Sequence, residues 1–215
     1  EPTTMLVSEA GAYQTQIVGP ENGESLVVAT EGCVIRGVSA RGAGVALRVG
    51  AAMHAEVTNC VLYSNGVGLL VGKGASVALA NNTVYGNAPY GVWLDVGAAF
   101  MLLANNVFAD NRTAVFAEPG AVQSGGYNAF FNNEVDLDGP TGMATDFWVD
   151  PLFVDEEVLD LRLEQESPCR DAGDPEEGFL DVDGTRNDVG AEGGPHGLAD
   201  APVGEPPEVP AVEEV

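Results

Sequence analysis

Residues 81–87 read Asn-Asn-Thr-Val-Tyr-Gly-Asn, and residues 105–111 read Asn-Asn-Val-Phe-Ala-Asp-Asn. The same pattern occurs at residues 59–65, as Asn-Cys-Val-Leu-Tyr-Ser-Asn, and at residues 127–133, as Tyr-Asn-Ala-Phe-Phe-Asn-Asn. The four copies start 22, 24 and 22 residues apart, and eleven of the thirteen asparagines lie between positions 59 and 133. A period of this length indicates a repeat architecture in which each unit stacks on its neighbours.

Each period contains three short β-prone runs separated by Gly, Asn or Asp, for example residues 67–71, 76–79 and 83–85. Such runs are too short for helices, and no apolar stripe of helical period accompanies them. The Leu spacing and helical half of a leucine-rich repeat are missing. The pattern therefore predicts an all-β fold, a right-handed parallel β-helix (a solenoid) of about five coils of about 22 residues, with three short strands per coil paired in register.

The repeat register predicts two columns of equivalent residues. The first is apolar throughout and should point into the core: Leu62, Val84, Phe108 and Phe130. The second lies two residues earlier, where asparagine tolerates left-handed turns and can hydrogen-bond along the stack: Cys60, Asn82, Asn106 and Asn128. We interpret these asparagines as structural rather than ligand-binding.

Charge divides the chain into unlike parts. The 215 residues include 33 acidic and 8 basic side chains, a formal charge of −25, and residues 134–215 hold 24 of the acids but only three of the bases. We predict coils over residues 1–133, an acidic C-terminal cap packed on the last coil over residues 134–196, and a disordered linker rich in Pro and Glu over residues 197–215.

The composition of the sequence excludes nucleic acid as a partner and gives no membrane-spanning segment. Nucleic acid binding needs clustered Lys and Arg, which the sequence lacks. No apolar run reaches 18 residues, so no membrane-spanning segment is predicted.

Two groups of motifs resemble a known family. The Asn-Asn-x-Val pattern, with Gly-Val-x-Leu about ten residues later, resembles right-handed parallel β-helix proteins of the pectate-lyase-like superfamily. Residues 150–155, 161–163, 167–175 and 181–191 resemble the C-terminal cap of bacterial surface β-helix proteins often described as choice-of-anchor domains. The resemblance covers roughly residues 13–194. It implies a secreted or cell-surface bacterial protein, without implying one activity. Coil-like sequence begins near residue 16, so we expect a longer parent chain.

A binding face is predicted on the central coils. The segment Ala88-Pro89-Tyr90 reads as an insertion of about three residues that places Tyr90 and Trp93 near Asp95. This alignment puts Trp93 in an outward column with Ala46 and Gly68, and Asp95 in the next column with Arg48 and Leu70. Exposed aromatic rings beside charged groups suit a polysaccharide or a cell-envelope glycan. The alternative interpretation is that both rings cover a coil edge.

Catalysis has weaker support in the sequence. Relatives of this superfamily that act on acidic polysaccharides use paired carboxyls, or a basic residue with Ca²⁺. A lone Arg48 and a lone Asp95, two coils apart, make a poor pair, and an acidic protein repels a polyanion. We therefore predict a non-catalytic extracellular module, structural or carbohydrate-binding. The alternative is a polysaccharide lyase, glycoside hydrolase or epimerase, or the C-terminal part of one.

A metal site is the remaining candidate. Asp181, Asp183, Asn187 and Asp188 surround a Gly turn and offer the oxygen ligands that Ca²⁺ prefers. We note a possible structural Ca²⁺ site there, with an acidic turn closed by its own hydrogen bonds as the alternative.

Overall fold

A computed structural model describes residues 4–118 and 124–197 and confirms the predicted all-β, right-handed parallel β-helix. Three consecutive strands form each coil. The first two coils contain β1 (Met5–Val7), β2 (Gln16–Val18), β3 (Glu24–Val28), β4 (Cys33–Arg36), β5 (Ser39–Arg41) and β6 (Val45–Val49). The next two contain β7 (His54–Thr58), β8 (Val61–Tyr63), β9 (Val67–Val71), β10 (Ser76–Ala80), β11 (Thr83–Tyr85) and β12 (Tyr90–Leu94). The last two contain β13 (Ala99–Ala104), β14 (Val107–Ala109), β15 (Thr113–Ala117), β16 (Gly125–Gly126), β17 (Ala129–Phe131) and β18 (Val135–Asp138).

Equivalent strands of successive coils pair in parallel and build three long sheets. The first sheet has the order β1-β4-β7-β10-β13-β16, and the third has the order β3-β6-β9-β12-β15-β18. The second runs β2-β5-β8-β11-β14-β17 and ends with an added strand, β19 (Phe147–Trp148). The described residues thus form about six coils rather than five, because residues 5–28 already complete one turn.

The predicted apolar column fills the interior. Its four side chains are at most 1% exposed: Leu62, Val84, Phe108 and Phe130. The rings of Phe108 and Phe130 stack with centroids 5.2 Å apart. Parallel pairing in register places each residue over its counterpart in the coil below, so like packs on like along the whole core.

Asparagines close two corners of every central coil. In the first ladder, the side-chain amides of Asn82 and Asn106 each donate to the side-chain oxygen of the next asparagine along the stack, at 3.0 and 2.9 Å. This confirms the predicted asparagine column. A second ladder, not predicted from the sequence, lies at the next corner. It joins Asn65, Asn87, Asn111 and Asn133 at 3.0 Å per step.

Residues 150–197, here called the lateral segment, pack along one side of the solenoid. They contain the antiparallel pair β20 (Phe153–Asp155) and β21 (Asp160–Leu163) and a 3₁₀ turn (Glu177–Phe179). The sequence predicted a cap on the last coil over residues 134–196. In the structure β18 and β19 within that range continue the coils, while the lateral segment reaches back toward the first coil, where the Tyr13 hydroxyl donates to the carbonyl of Leu161 at 2.9 Å.

The outer face of the second sheet explains this placement. Its strands β8, β14 and β17 are apolar on both faces, so Val61, Val107 and Ala129 point away from the core and would otherwise meet water. Phe153, Leu161, Leu163, Cys169 and Val189 of the lateral segment bury that face in a second apolar cluster. Burial of apolar surface therefore sets the path of the chain after the last coil. The predicted linker beyond Gly197 lies outside the described residues.

Candidate functional site

The third sheet carries the predicted binding face on its outer surface. In β6, β12 and β15 the first and fourth residues are half-buried, and the other three are buried. The first and fourth positions therefore form two outward columns that run along the solenoid. In β12 they are Tyr90 and Trp93, and in β15 they are Thr113 and Phe116.

Three aromatic rings meet on this surface. The ring centroids of Tyr90 and Phe116 are 4.9 Å apart with 30° between the planes, and those of Tyr90 and Trp93 are 5.5 Å apart. Trp93 and Phe116 meet edge to face at 6.2 Å. We call Tyr90, Trp93 and Phe116 the aromatic face. The sequence did not predict Phe116 as part of this face, although Phe116 is in register with Trp93 when the two coils are aligned.

Apolar residues extend the aromatic face toward β9. Val67 is in register with Tyr90, and Leu70 is in register with Trp93. Both lie on the outer surface yet are only 6% exposed. The rings and their neighbours therefore form one continuous apolar strip across the three strands β9, β12 and β15.

The predicted column of Trp93 is wrong. Trp93 is in register with Leu70, which is in register with Arg48, rather than with Ala46 and Gly68. The reason is the size of the insertion: Asn87 pairs with Asn65, 22 residues earlier, and Tyr90 pairs with Val67, 23 residues earlier. One residue has been added at the turn, not about three.

The same correction moves Asp95 out of the column of Arg48 and Leu70. Its backbone N–H donates to the carbonyl of Val71 at 3.0 Å, and its carboxylate accepts the N–H of Val96 at 2.7 Å. Asp95 thus follows the end of β12 and caps the turn to β13. The structure brings Tyr90 and Trp93 together as predicted and leaves Asp95 at the rim of the sheet.

Arg48 lies two strands from Trp93, about 10 Å at the usual strand spacing. It forms an ion pair with Glu24 on β3, and both side chains are about one third exposed, at 35% and 34%. An arginine neutralised in this way is a hydrogen-bonding group at the margin of the aromatic face rather than a free positive charge.

The indole of Trp93 has one unusual feature. Within residues 4–118 and 124–197, its Nε1–H is shielded from solvent and has no hydrogen-bond partner. A buried donor without a partner costs about 1–3 kcal/mol. The exposed part of Trp93 is therefore the carbon surface of the ring.

The four candidate calcium ligands belong to the lateral segment, and protein donors occupy their oxygens. The carboxylate of Asp181 accepts the N–H groups of Asp188 and Gly194, and that of Asp183 accepts both the N–H and the hydroxyl of Thr185. Asn187 is fully buried.

The remaining oxygens are used in the same way. The side-chain oxygen of Asn187 accepts the amide of Asn81 at 3.0 Å, and the carboxylate of Asp188 receives Arg170 at 3.0 Å. In the part of the chain that the structure describes, no group of three or more His, Cys, Asp or Glu side chains is arranged to hold a metal ion. Calcium binding stays a prediction, which calorimetry with Ca²⁺ tests.

Burial and like charge disturb the ionisation of the same turn. Burial and the neighbouring carboxylates of Asp188 and Asp183 raise the pKa of Asp181 to about 6. Burial also raises the pKa of Glu192, whose carboxylate accepts the N–H of Leu163 at 2.9 Å. Folding therefore makes the carboxyl groups of Asp181 and Glu192 harder to ionise than they are in the unfolded chain.

Comparison with known proteins gives one family match. A family model described as a right handed beta helix region matches residues 18–146, more than half of the chain. Neither the curated proteins nor the solved structures yield a match. The described residues also contain no helix that is both long and apolar enough to cross a membrane.

Proposed function

Because the chain belongs to the right-handed β-helix family, we propose that it is a non-catalytic module that binds carbohydrate on its aromatic face. The observation that carries this proposal is the cluster of three rings, 4.9 to 6.2 Å apart, on the outer surface of a rigid sheet. A pyranose ring offers an apolar C–H surface and a polar edge. Aromatic rings with hydrogen-bonding groups at their margin match both.

Charge narrows the ligand to a neutral glycan. The chain carries a net charge of −25, which repels a polyanionic polysaccharide. In the column of Trp93 the nearest cation is Arg48. It already forms an ion pair with Glu24. The aromatic face therefore favours neutral sugars over uronates.

The fold supports binding along a chain of sugars rather than to a single one. The two outward columns run parallel to the solenoid axis, and neighbouring strands are about 4.8 Å apart. Tyr90, Trp93 and Phe116 sit on two adjacent strands, so the surface is wide enough to contact consecutive sugar units. Strands hold these side chains more firmly than loops would.

Binding to neutral polysaccharides tests the proposal. We expect Trp93→Ala to weaken the affinity at least about tenfold, because the central ring of the face is lost. The control is Met101→Ala, since Met101 is 56% exposed on β13 of the first sheet and outside the aromatic face. Equal binding by Trp93→Ala and the wild type would overturn the assignment of this face.

Fluorescence adds a direct readout. The chain has two tryptophans, so Trp148→Phe leaves Trp93 as the sole indole emitter. We expect a saturable change in its emission on addition of the polysaccharide that binds. Trp93→Phe should keep the fold, because it removes a donor that has no partner among the described residues, and should weaken binding less than Trp93→Ala.

The proposal includes a secreted or bacterial cell-surface location, supported by the cap motifs of residues 150–191. Detection of the protein by antibody on intact cells, without permeabilisation, tests the location. Release of reducing ends or unsaturated products from any polysaccharide would replace the non-catalytic module with its alternative, a polysaccharide-active enzyme.

A further inference from the structure

A cavity of about 190 Å³ lies where the lateral segment meets the first coils, away from the aromatic face. Its wall contains Ser8, Glu9 and Tyr13 from the first coil, Arg36 from the end of β4, and Asn59 and His196 from the segments that meet them. The volume equals that of about six water molecules at about 30 Å³ each. The cavity therefore has room for a small organic molecule and not for a polymer.

Two nitrogen-containing side chains, Arg36 and His196, line this cavity. Arg36 is half-buried, and its Nε donates to the hydroxyl of Thr58 at 3.2 Å, which orients the guanidinium. Among the described residues, no carboxylate lies within ion-pairing distance of Arg36 or His196. Arg48, Arg112, Arg162 and Arg170 form ion pairs, whereas Arg41 and Arg186, like Arg36, form none among the described residues.

Arg36 combines two features, since it has no counter-ion among the described residues and it lies in the wall of a cavity. The sequence has 33 acidic side chains for 8 basic ones, so acidic partners are abundant. The fold nevertheless places Arg36 beside the imidazole of His196 and inside a concave wall. Burial and the positive charge of Arg36 lower the pKa of His196, while Glu56 raises it.

We propose that this cavity binds a small monocarboxylate, held by Arg36 and His196. The guanidinium offers two parallel N–H donors to a carboxylate, and the imidazole offers a third. Asn59 lines the same wall; its amide group already donates to the carbonyls of Ala191 and Gly193, and its side-chain oxygen is left to accept a hydroxyl group of the ligand. Glu9 in the wall and Glu56 near His196 weaken the binding of any anion and weaken that of a dianion most, which favours a monocarboxylate over a phosphate dianion.

The two histidines of the chain allow a test in the unmodified protein. His196 lines the cavity, whereas His54 lies on β7, where its ring approaches the hydroxyl of Ser76 at 3.4 Å. In an NMR titration with lactate at constant ionic strength and pH 7, we expect the ring signals of His196 to shift and saturate. The signals of His54 should stay unchanged. Glycerol, a neutral molecule of the same size, should move neither.

Two variants test whether Arg36 is the side chain that binds the carboxylate of lactate. We expect Arg36→Gln to weaken lactate binding at least tenfold, because the charged donor pair is lost. Arg41→Gln, with the same change of charge on β5 but outside the cavity wall, should alter the affinity less than twofold. Three outcomes would overturn the proposal: no response of His196 to lactate, an equal response to phosphate, or unchanged affinity in Arg36→Gln.

Discussion

Single asparagines perform two different tasks in this protein, and their position in the Asn-Asn pair decides which. The first residue of each pair has a left-handed backbone, with φ of 52° at Asn81 and 57° at Asn105. The second residue points inward and joins the first ladder, as Asn82 and Asn106 do. The pair thus turns the chain with one residue and satisfies the buried corner with the next.

Asn106 shows how much one ladder residue supports. It is fully buried, its amide donates to the carbonyls of Leu79 and Ala104, and its oxygen accepts the backbone N–H of Asn82. Asn106→Leu leaves these groups without partners, so we expect the free energy of unfolding to fall by at least about 3 kcal/mol. Urea denaturation followed by circular dichroism measures it. Asn22→Leu, at an exposed turn, should change it by less than about 0.5 kcal/mol.

At the scale of elements, the lateral segment is attached to the coils through the corner asparagines Asn59 and Asn81, which have left-handed backbones. The amide of Asn59 donates to the carbonyl of Gly193 at 2.7 Å, and the amide of Asn81 donates to Asn187 and to the carbonyl of Asp188. These contacts join positions more than 100 residues apart. The corner asparagines are therefore also the docking points for the segment that covers the second sheet.

Removal of one docking side chain should loosen the lateral segment without unfolding the coils. In Asn81→Gly the backbone keeps its positive φ at no steric cost, while the bonds to Asn187 and Asp188 are lost. We expect faster hydrogen exchange at Gly190 and Gly194, with unchanged exchange at Val84 and Phe108 in the core. Uniformly faster exchange along the whole chain would show that the segment and the coils unfold as one unit instead.

The sequence determines the elements whose pattern repeats. The 22-residue period was enough to predict the strands, the core column at Val84 and Phe108, and the first ladder. The predicted register of β12 is wrong because it aligns Trp93 by its apolar neighbours. The pairing of Asn87 with Asn65 shows that β12 is shifted by a single residue relative to β9. With that alignment, Phe116 would have joined the predicted face.

The lateral segment could not be predicted in this way, because its contacts have no period. Its partners lie far away in the sequence, and its own strands are short and irregular. The sequence does contain a sign of this contact in the second sheet, against which the lateral segment packs. Val61 and Tyr63, like Val107 and Ala109, are apolar on the face opposite to the core, and a strand that is apolar on both faces needs a cover.

Over the whole molecule, the two ends of the solenoid differ. At the last coil an acidic residue ends each ladder: Asn128 donates to the carboxylate of Asp146 at 2.9 Å, and Asn133 donates to that of Asp136 at 3.0 Å. Trp148 stacks on Phe130 and donates to Asp136, so it covers the core. At the other end, within the described residues, β1, β2 and β3 are paired on one side only. The end strands of the last coil, β16, β18 and β19, are likewise paired on one side only, so the two ends differ in the side chains that cover them and not in open backbone edges.

The acidic excess should make this protein more stable in mild acid than at neutral pH. Folding raises the pKa of Asp181 from 3.8 to about 6, and it also raises the pKa values of Glu192 and Glu156 through burial. The folded state thus binds more protons than the unfolded state between about pH 4 and pH 6, so stability falls as the pH rises through that range. The lowered pKa of Asp183 acts in the opposite direction, at lower pH and on an exposed group.

Thermal unfolding at pH 5 and pH 7.5 measures the effect. Between pH 5 and pH 7.5 the shift at Asp181 alone corresponds to about 1.4 kcal/mol in a dry site and to about 1 kcal/mol after allowance for its partial exposure. In a chain of this size that is about 3 °C in Tm, higher at pH 5. Asp181→Asn removes the titrating group and should reduce the difference between the two pH values. A higher Tm at pH 7.5 in the wild type would mean that paired carboxylates, such as Asp160 with Arg162, outweigh the repulsion within the lateral segment.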